Sequence, residues 1–410
     1  MASSRRALIG CLGTALIAAH VNAAQIQVSA LYTPAIPVIP MVHSGKVLVQ
    51  DYALGTYRFR LIDAITAVSL DARNNQSSYL HPSDFGGSHI AWIAYSAGSG
   101  GGGGGGGGTP GGEYHYAVKL FTISGAVEQN ATANTAYKDF LAVDNSTVAW
   151  TDYRNFTVTD TIVDVYAYTA GAAERRITTS HSYKSAPSIC GDAIVWQDYR
   201  NRATSANNAD IYLYNLSTSS ERAICTHAGY QDQPRVSGSY VVWQDYRNAA
   251  TDPRNADIYL YDLSTGQERA ICTAPGFQCN PQVYGNLVVW QDYRNATADT
   301  TNADIYLYDL STGTEQAVTT KAGYQEYPHL YDGVVAWFDY TDNKVYVARV
   351  TSSSVVARTP LFRGSNAGLG AQVSSVGRRG WGGCAYTVAG RATRAADRGD
   401  RTQGMIVVNR

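Results

Sequence analysis

Charged side chains are scarce in this sequence: Asp, Glu, Lys and Arg make up 16% of its 410 residues, against roughly 25% in ordinary soluble domains. The two signs nearly cancel, with 32 Lys and Arg against 33 Asp and Glu. The chain therefore lacks the basic excess that nucleic-acid binding requires. Its longest apolar run, residues 7–21, is short for a membrane span and is interrupted by His20. We expect neither nucleic acid nor a membrane-spanning segment.

The sequence also lacks the motifs that usually carry catalysis. There is no nucleophile elbow, no His-Glu-x-x-His and no phosphate-cradling loop, and the eight histidines are scattered. The glycine run Gly100–Gly108, within a loop insertion at 98–112, is not followed by Lys-Ser/Thr and reads as a flexible segment. The sequence predicts no catalytic residue and needs no cofactor.

The N-terminus has the pattern of an export signal. Arg5 and Arg6 precede the apolar run, and small residues follow it up to Ala24, so we expect residues 1–24 to be removed and the protein to be secreted or held at the cell surface. Of the five cysteines then left, Cys272 and Cys279 flank a Pro-Gly turn and are predicted to form a disulfide. Six sequons are glycosylation candidates: Asn75, Asn130, Asn145, Asn155, Asn215 and Asn295.

Tyrosine and glycine are abundant, at 30 and 39 residues, which favours strands joined by tight turns. A repeat dominates the chain. The segment Trp-Gln-Asp-Tyr-Arg-Asn or a close variant begins at residues 150, 196, 243, 290 and 337, at intervals of 46 or 47. Each is followed by an Asp-Ile-Tyr-Leu-Tyr segment, best formed at 210–214, 257–261 and 304–308.

Each copy divides into four short strands. In the fifth copy these are 234–237, 240–246, 257–263 and 267–272. The second and third are apolar or aromatic at nearly every position, so both faces of the sheet must be covered. A four-stranded unit repeated every 40–50 residues predicts an all-β protein, a single β-propeller of antiparallel blades spanning 40–410. Weaker copies at both ends bring the count to eight blades, with seven as the alternative.

The repeat resembles the TolB-type β-propeller repeat, and is more similar still to the tandem β-propeller repeats of archaeal and bacterial cell-surface and surface-layer proteins. The resemblance covers about residues 40–410 and is most specific over 150–340. Many proteins of this type are non-catalytic. The resemblance thus implies a binding or structural role.

The ends of the chain suggest how the ring closes. Residues 25–31 form a spare strand, followed by a Pro-rich linker up to residue 39, and the last copy runs out after its third strand. We expect 25–31 to pair beside 404–409 and leave no long open edge. Donation of the same strand to a neighbouring molecule is the alternative.

The Asp-Tyr-Arg segments place charged residues on one rim of the ring. We expect them to pair within each blade and bind loop backbone groups; they are Asp198, Arg200, Asp210, Asp245, Arg247, Asp257, Asp292, Arg294 and Asp304. The alternative is a Ca²⁺ site in oxygen-rich loops, formed by Asp252, Asn255 and Asp257 or by Asp299, Asn302 and Asp304. The repeated Trp is expected in the core between blades.

The axial channel is the usual ligand site of a propeller. Counting along the first strands, Asp84, Arg235 and His329 are its candidate polar ligands, although a filled channel is the favoured state. The leading expectation is a non-catalytic extracellular protein of recognition, adhesion or self-assembly, whose partner is another copy, a surface protein or a glycan. The alternative is a secreted carbohydrate-active hydrolase or lyase, which needs carboxylates about 5–10 Å apart at the channel.

Overall fold

The computed structural model describes residues 25–32, 34, 38–53, 56–67, 69–76, 83–97, 114–157, 159–202, 208–249, 255–296 and 302–351. Every regular element in these ranges is a β-strand. The strands are β1 (Gln25–Tyr32), β2 (Met41–His43), β3 (Lys46–Ala53), β4 (Thr56–Asp63), β5 (Ser69–Gln76), β6 (Ser83–Phe85), β7 (His89–Ala97), β8 (Tyr114–Thr122), β9 (Val127–Asn130), β10 (Lys138–Asp144), β11 (Thr147–Asp152), β12 (Asp164–Thr169), β13 (Arg175–Arg176), β14 (Lys184–Cys190), β15 (Ala193–Asp198), β16 (Asp210–Asn215), β17 (Ser220–Cys225), β18 (Gln231–Ser237), β19 (Tyr240–Asp245), β20 (Asp257–Asp262), β21 (Gln267–Cys272), β22 (Gln278–Tyr284), β23 (Leu287–Asp292), β24 (Asp304–Asp309), β25 (Thr314–Thr319), β26 (Gln325–Tyr331), β27 (Val334–Asp339) and β28 (Lys344–Thr351).

The strands form seven antiparallel sheets of four. Blades 1 to 6 are consecutive quartets, from β2–β5 to β22–β25, and blade 7 has the order β1-β28-β27-β26. The first strand of each blade contacts the first strand of the next, and β26 contacts β2. The protein is therefore a closed seven-bladed propeller with the first strands around its axis.

Tryptophan at the centre of the second strand fills the space between blades. Trp150, Trp196, Trp243 and Trp290 are fully buried. Trp196 of blade 4 packs among Val165 and Ala167 of blade 3, and the same packing recurs around the ring. Both faces of each sheet are covered by its neighbours, as the nearly continuous apolar pattern predicts.

The prediction of eight blades is wrong, and the seven-bladed alternative is correct. Blades 7 and 1 share one apolar cluster in which Val42 and Val47 meet Phe338 and Val345. Their junction also contains a hydrogen bond from the Val42 backbone N–H to His329 Nδ1 (3.0 Å). Because the ring is complete at blade 7, it has no place for another blade. The supposed eighth copy lies outside the described residues, as do the signal segment 1–24 and the glycine run.

The N-terminal strand joins the ring at a different place from the one predicted. β1 pairs antiparallel with β28, from Gln25 opposite Thr351 to Tyr32 opposite Val345, while 404–409 lie outside the described residues. Blade 7 supplies only three strands from the C-terminal part of the described chain, so β1 becomes its fourth. The structure thus joins the two ends of the ring within one sheet.

The predicted disulfide between Cys272 and Cys279 is also wrong, since both are buried cysteines that form no disulfide. Cys272 ends β21 in blade 5, and its Sγ accepts a hydrogen bond from Arg294 Nη2 of blade 6 (3.0 Å). Cys279 belongs to β22 of blade 6. The turn between them connects two blades, and the Cys272 thiol is directed at the neighbouring guanidinium.

We expect the inward face of β1 to stabilise the ring closure. Ile26 packs against the core between blades 6 and 7, whereas Val28 is 47% exposed. Ile26→Asp should lower the free energy of unfolding by at least about 2 kcal/mol, because it places a charge against apolar side chains. Val28→Asp should change it by about 0.5 kcal/mol or less. Equal losses in chemical denaturation would contradict this closure.

Candidate functional site

The aspartate that ends the second strand is the centre of a repeated network on one rim. In blade 5, Asp245 Oδ2 accepts hydrogen bonds from Trp243 Nε1 (2.8 Å) and Arg247 Nη2 (2.7 Å). Its Oδ1 accepts one from the Arg247 backbone N–H (2.8 Å). Blades 4 and 6 repeat these contacts at Asp198 and Asp292. The carboxylate therefore ties the core tryptophan to the loop that follows it.

The arginine of the repeat is held on several sides. The Arg247 guanidinium carbon lies 3.9 Å from the ring centroid of Tyr259, and Arg247 Nη1 forms an ion pair with Glu268 Oε1 (2.7 Å). Equivalent contacts hold Arg200 and Arg294. With its charge paired and its face stacked, this arginine stabilises its own blade. Arg247 and Arg294 also donate to a cysteine of the preceding blade, Cys225 and Cys272 respectively.

The aspartate that begins the third strand is buried beside the same rim. Asp257 Oδ2 accepts a hydrogen bond from Asn248 Nδ2 (2.7 Å), and Asp210 and Asp304 have the same contact with Asn201 and Asn295. Burial raises the pKa of Asp257 above its usual value, while this hydrogen bond lowers it. All three carboxyl groups are nearly inaccessible to solvent.

The loops proposed for Ca²⁺ are only partly described, because Asp252 and Asp299 lie outside the described residues. Asn302 Oδ1 accepts a hydrogen bond from the Gly323 backbone N–H (3.1 Å), and its Nδ2 donates to Asn295 O (3.3 Å). Asn255 Nδ2 makes the same contact with Asn248 O (3.5 Å). Among the residues that the structure describes, no three or more His, Cys, Asp or Glu side chains group as a metal site.

The predicted channel residues Asp84, Arg235 and His329 are buried. They occupy the same register position of their first strands as four other buried residues, Met41, Ala142, Ser188 and Gln282, of which Met41 and Ala142 belong to apolar clusters between blades. Three of these seven residues accept backbone hydrogen bonds from the following blade. Asp84 Oδ2 accepts from Val143 N (2.8 Å), Ser188 Oγ from Val236 N (3.3 Å), and His329 Nδ1 from Val42 N (3.0 Å). Arg235 Nη1 donates to the Pro234 carbonyl (2.9 Å). These polar groups join neighbouring blades.

Asp84 is the most perturbed carboxyl group of the channel. Burial raises its pKa to about 8, against the opposing effects of N–H donors from Val143 and Phe85 and of the Arg235 charge. Asp144, whose own pKa burial raises to about 6, adds to the increase. Asp84 and Arg235 therefore interact electrostatically, and His329 bonds to blade 1.

A feature that sequence reasoning missed is a continuous series of aromatic rings along the same rim, which we call the aromatic arc. Neighbouring ring centroids are 4.8–6.3 Å apart. Its members run from blade 2 to blade 7: Tyr95, Tyr116, Tyr137, Tyr153, Tyr183, Tyr199, Tyr230, Tyr246, Phe277, Tyr293, Tyr324 and Tyr340. The signal was present in the sequence, because an aromatic residue precedes the first strand and another follows the second strand of each regular blade.

The hydroxyl groups of the aromatic arc link successive blades. Tyr153 and Tyr183 share a hydrogen bond (2.8 Å), as do Tyr199 and Tyr230 (3.0 Å). Most of these rings are half-buried, but Tyr95, Tyr137 and Tyr340 are 40–44% exposed. The arc thus combines a rigid base with three aromatic surfaces that solvent can reach.

The asparagines of the predicted glycosylation sites differ in their exposure and in the hydrogen bonds of their side chains. Asn130 and Asn145 are exposed, and Asn75 lies in β5. Asn155 and Asn295 donate Nδ2, the atom that would carry a glycan, to the buried carboxyl groups of Asp164 and Asp304. Asn215 Oδ1 instead caps the following turn by accepting from Thr218 N (2.9 Å).

Removing the rim carboxylate should destabilise the ring. Asp245→Ala leaves the Trp243 indole and the Arg247 guanidinium without their shared acceptor, so we expect the free energy of unfolding to fall by about 3 kcal/mol. Asp192→Ala, in an exposed turn of the opposite rim, is the control and should stay within about 0.5 kcal/mol. Similar losses for both variants in urea denaturation would count against this network.

Asp84 should make stability depend on pH in an unusual direction. The folded protein keeps this proton up to pH about 8, while an unfolded Asp releases it near pH 4. The folded state therefore binds more protons between these values, and its stability falls as pH rises through the interval. Relative to Asp84→Asn, we expect wild type to lose on the order of 5 kcal/mol from pH 4 to pH 8. A constant difference between the two proteins would refute the shift.

The comparisons with known proteins concern the fold. No protein-family model and no curated protein sequence matches the chain. The oligogalacturonate lyase of Vibrio parahaemolyticus is similar in structure, with TM-score 0.56 and 12% identity over 81% of this chain and 98% of its own. The acylaminoacyl peptidase of Pyrococcus horikoshii matches with TM-score 0.51 and 12% identity over 73% of this chain, which spans half of the peptidase. TolB from Acinetobacter baumannii matches at TM-score 0.41, with 13% identity over 73% of this chain and 78% of its own. At these identities the likeness to the lyase and the peptidase is one of fold alone.

Proposed function

We propose that this protein is a non-catalytic propeller that acts outside the cell in recognition, adhesion or self-assembly, and that the aromatic arc is its contact surface. Tyr95, Tyr137 and Tyr340 supply exposed aromatic area on the loop-rich rim. Tyrosine and other aromatic residues are enriched in protein interfaces, since they bury much area and lose little conformational freedom. The exposed part of the arc is the observation that carries this proposal.

The channel supports the same conclusion. Asp84, Ser188 and His329 use oxygen or nitrogen lone pairs to accept backbone N–H groups of the next blade. A general base needs its lone pair free to take a substrate proton. These groups therefore hold neighbouring blades together by hydrogen bonds. The proposed location outside the cell rests on the export-signal pattern of residues 1–24.

A carbohydrate-active hydrolase or lyase is the second candidate, because one observation favours it. Asp84 and Asp144 influence each other electrostatically, and burial raises both pKa values, to about 8 and about 6. The similar fold of an oligogalacturonate lyase adds acidic oligosaccharides as a substrate class to assay. Against this candidate, both carboxyl groups are buried and accept backbone N–H groups.

The arc can be tested with the purified mature protein on a glycan array and by sedimentation velocity over a range of concentrations. We expect wild type to bind glycans or to self-associate. The double variant Tyr137→Ser/Tyr340→Ser should lose most of this binding, because both rings stand at the exposed part of the arc. Ile65→Ser removes a 73% exposed side chain from the opposite rim and is the matched control.

Two outcomes would overturn the proposal. One is binding that survives in the double variant, which would move the contact away from the arc. The other is cleavage of oligosaccharides by wild type that is abolished in Asp84→Asn and Asp144→Asn. That second result would establish the enzymatic candidate.

A further inference from the structure

A buried position between blades carries lysine in blades 3 and 4 and glutamine in blades 5 to 7. It is the first residue of the innermost strand, which meets the start of the third strand of the preceding blade. Blades 3 to 7 carry Lys138, Lys184, Gln231, Gln278 and Gln325 here, and all five are at most 1% exposed. We call the five places the junction pockets.

In the lysine pockets, the ammonium group is surrounded by oxygen atoms. Lys184 Nζ donates to the carbonyl groups of Ser180 and Ser182 and lies 3.3 Å from Asp164 Oδ1. Lys138 Nζ donates to two equivalent carbonyl groups, those of Asn134 and Ala136 (both 2.8 Å). Each of these pockets is therefore built to hold one positive charge.

The glutamine pockets keep the same backbone. Gln231 N donates to the carbonyl of Ala209 (2.9 Å), which directly precedes Asp210. Gln278 and Gln325 repeat this bond with Ala256 and Ala303. The Gly229 carbonyl accepts the Ala209 N–H, as the Ser182 carbonyl accepts that of Val163. The carbonyl groups that surround Lys184 Nζ thus have counterparts at His227 and Gly229.

The side chains in the glutamine pockets have unused polar atoms. Oε1 and Nε2 of Gln231, Gln278 and Gln325 are buried without a hydrogen-bond partner. So is Oδ1 of the facing aspartates, Asp210, Asp257 and Asp304. Buried polar groups are ordinarily bonded. Each pocket therefore presents two unsatisfied side-chain oxygens at the place where Lys184 carries its ammonium.

The aspartates of the glutamine pockets are not paired with a positive charge among the described residues, unlike the aspartate that faces Lys184. Asp164, beside Lys184, also pairs with Arg176 Nη2 (2.8 Å). Asp210, Asp257 and Asp304 form no ion pair within the described part of the chain; each receives an asparagine amide on Oδ2. A buried carboxylate is normally paired with a cation or bound to a metal. Water would fill the space without supplying the charge.

We propose that each of the three glutamine pockets binds a metal cation with oxygen ligands, in the position that the lysine ammonium occupies in the other two. The ligands are Asp Oδ1, Gln Oε1 and the two carbonyl groups of the preceding turn, which is a donor set suited to a hard cation such as Ca²⁺. In the pocket between blades 4 and 5 these come from Asp210, Gln231, His227 and Gly229. This site differs from the loop site considered from sequence, with which it shares only Asp257 and Asp304, and it does not depend on the proposed function.

The first experiment measures binding to the whole chain after treatment with a chelator. Isothermal titration with Ca²⁺ and metal analysis should give three ions per chain. Saturating Ca²⁺ should raise the melting temperature by at least about 5 °C, because a cation that binds only the folded state stabilises it. A parallel titration with Na⁺, in a choline buffer, decides which cation the pockets prefer.

Exchange of residues between the two kinds of pocket provides the decisive variants. Gln231→Lys should reduce the stoichiometry from three ions to two, and the triple variant with Gln278→Lys and Gln325→Lys should bind none. The melting temperature of this triple variant should no longer respond to cations. In the opposite direction, Lys184→Gln should add a fourth ion; if it fails to fold, the glutamine-to-lysine series still decides the question.

Two results would overturn the inference. Wild type that binds neither Ca²⁺ nor Na⁺ would contain water or a protonated aspartate in these pockets. Ion binding that persists unchanged in the triple lysine variant would place the ions elsewhere. Arg222→Lys, at an exposed position of β17, controls for the added lysine chemistry and should keep three ions.

Discussion

The structure depends on one buried contact that is repeated in blades 3 to 6: the carboxylate at the end of the second strand, bonded to the indole N–H of the core tryptophan. In blade 5 this is the pair Asp245 and Trp243. The tryptophan fills the space between sheets, and the aspartate fixes its edge to the rim. Because the same carboxylate also binds Arg247, packing inside the ring and the shape of the loop outside it are set together. A loop held this way is a rigid base for the aromatic arc.

The repeating parts of the fold are predictable because they result from local chemistry. The four strands assigned to the fifth copy lie within two or three residues of β18–β21, since turn residues and β-branched runs mark their ends. The burial of the tryptophans follows from the same pattern. Blade number is different, because it depends on the angle between neighbouring sheets, and no single copy determines that angle. The bond between Val42 and His329, 287 residues apart, shows that closure is a property of the whole ring.

The candidate site was partly predictable for a related reason. Strand register places Asp84, Arg235 and His329 at equivalent buried positions of three first strands, since side chains alternate between the two faces of a strand. Register does not show what these side chains bind. The partners of Asp84 and His329 are backbone N–H groups of a different blade, and a backbone donor has no sequence signal. The aromatic arc was not predicted from the sequence, because its members belong to separate repeats and become neighbours only when the blades are assembled.

The junctions between blades differ in chemistry although they share backbone hydrogen bonds. Blades 3 and 4 supply a lysine from the chain itself, and blades 5 to 7 carry glutamine at the same buried place. A radial fold permits this exchange, because each junction is enclosed by two sheets and does not disturb the next one. In four of the five pockets the facing carboxyl group is an aspartate, from Asp164 to Asp304. At the Lys138 pocket Ala117 stands at this position, and Lys138 pairs with Asp152 of its own blade. The aspartate is kept whether lysine or glutamine lies opposite it, which implies that its carboxylate needs a positive charge. A lysine of the chain supplies this charge in one kind of pocket, and a cation from solution supplies it in the other.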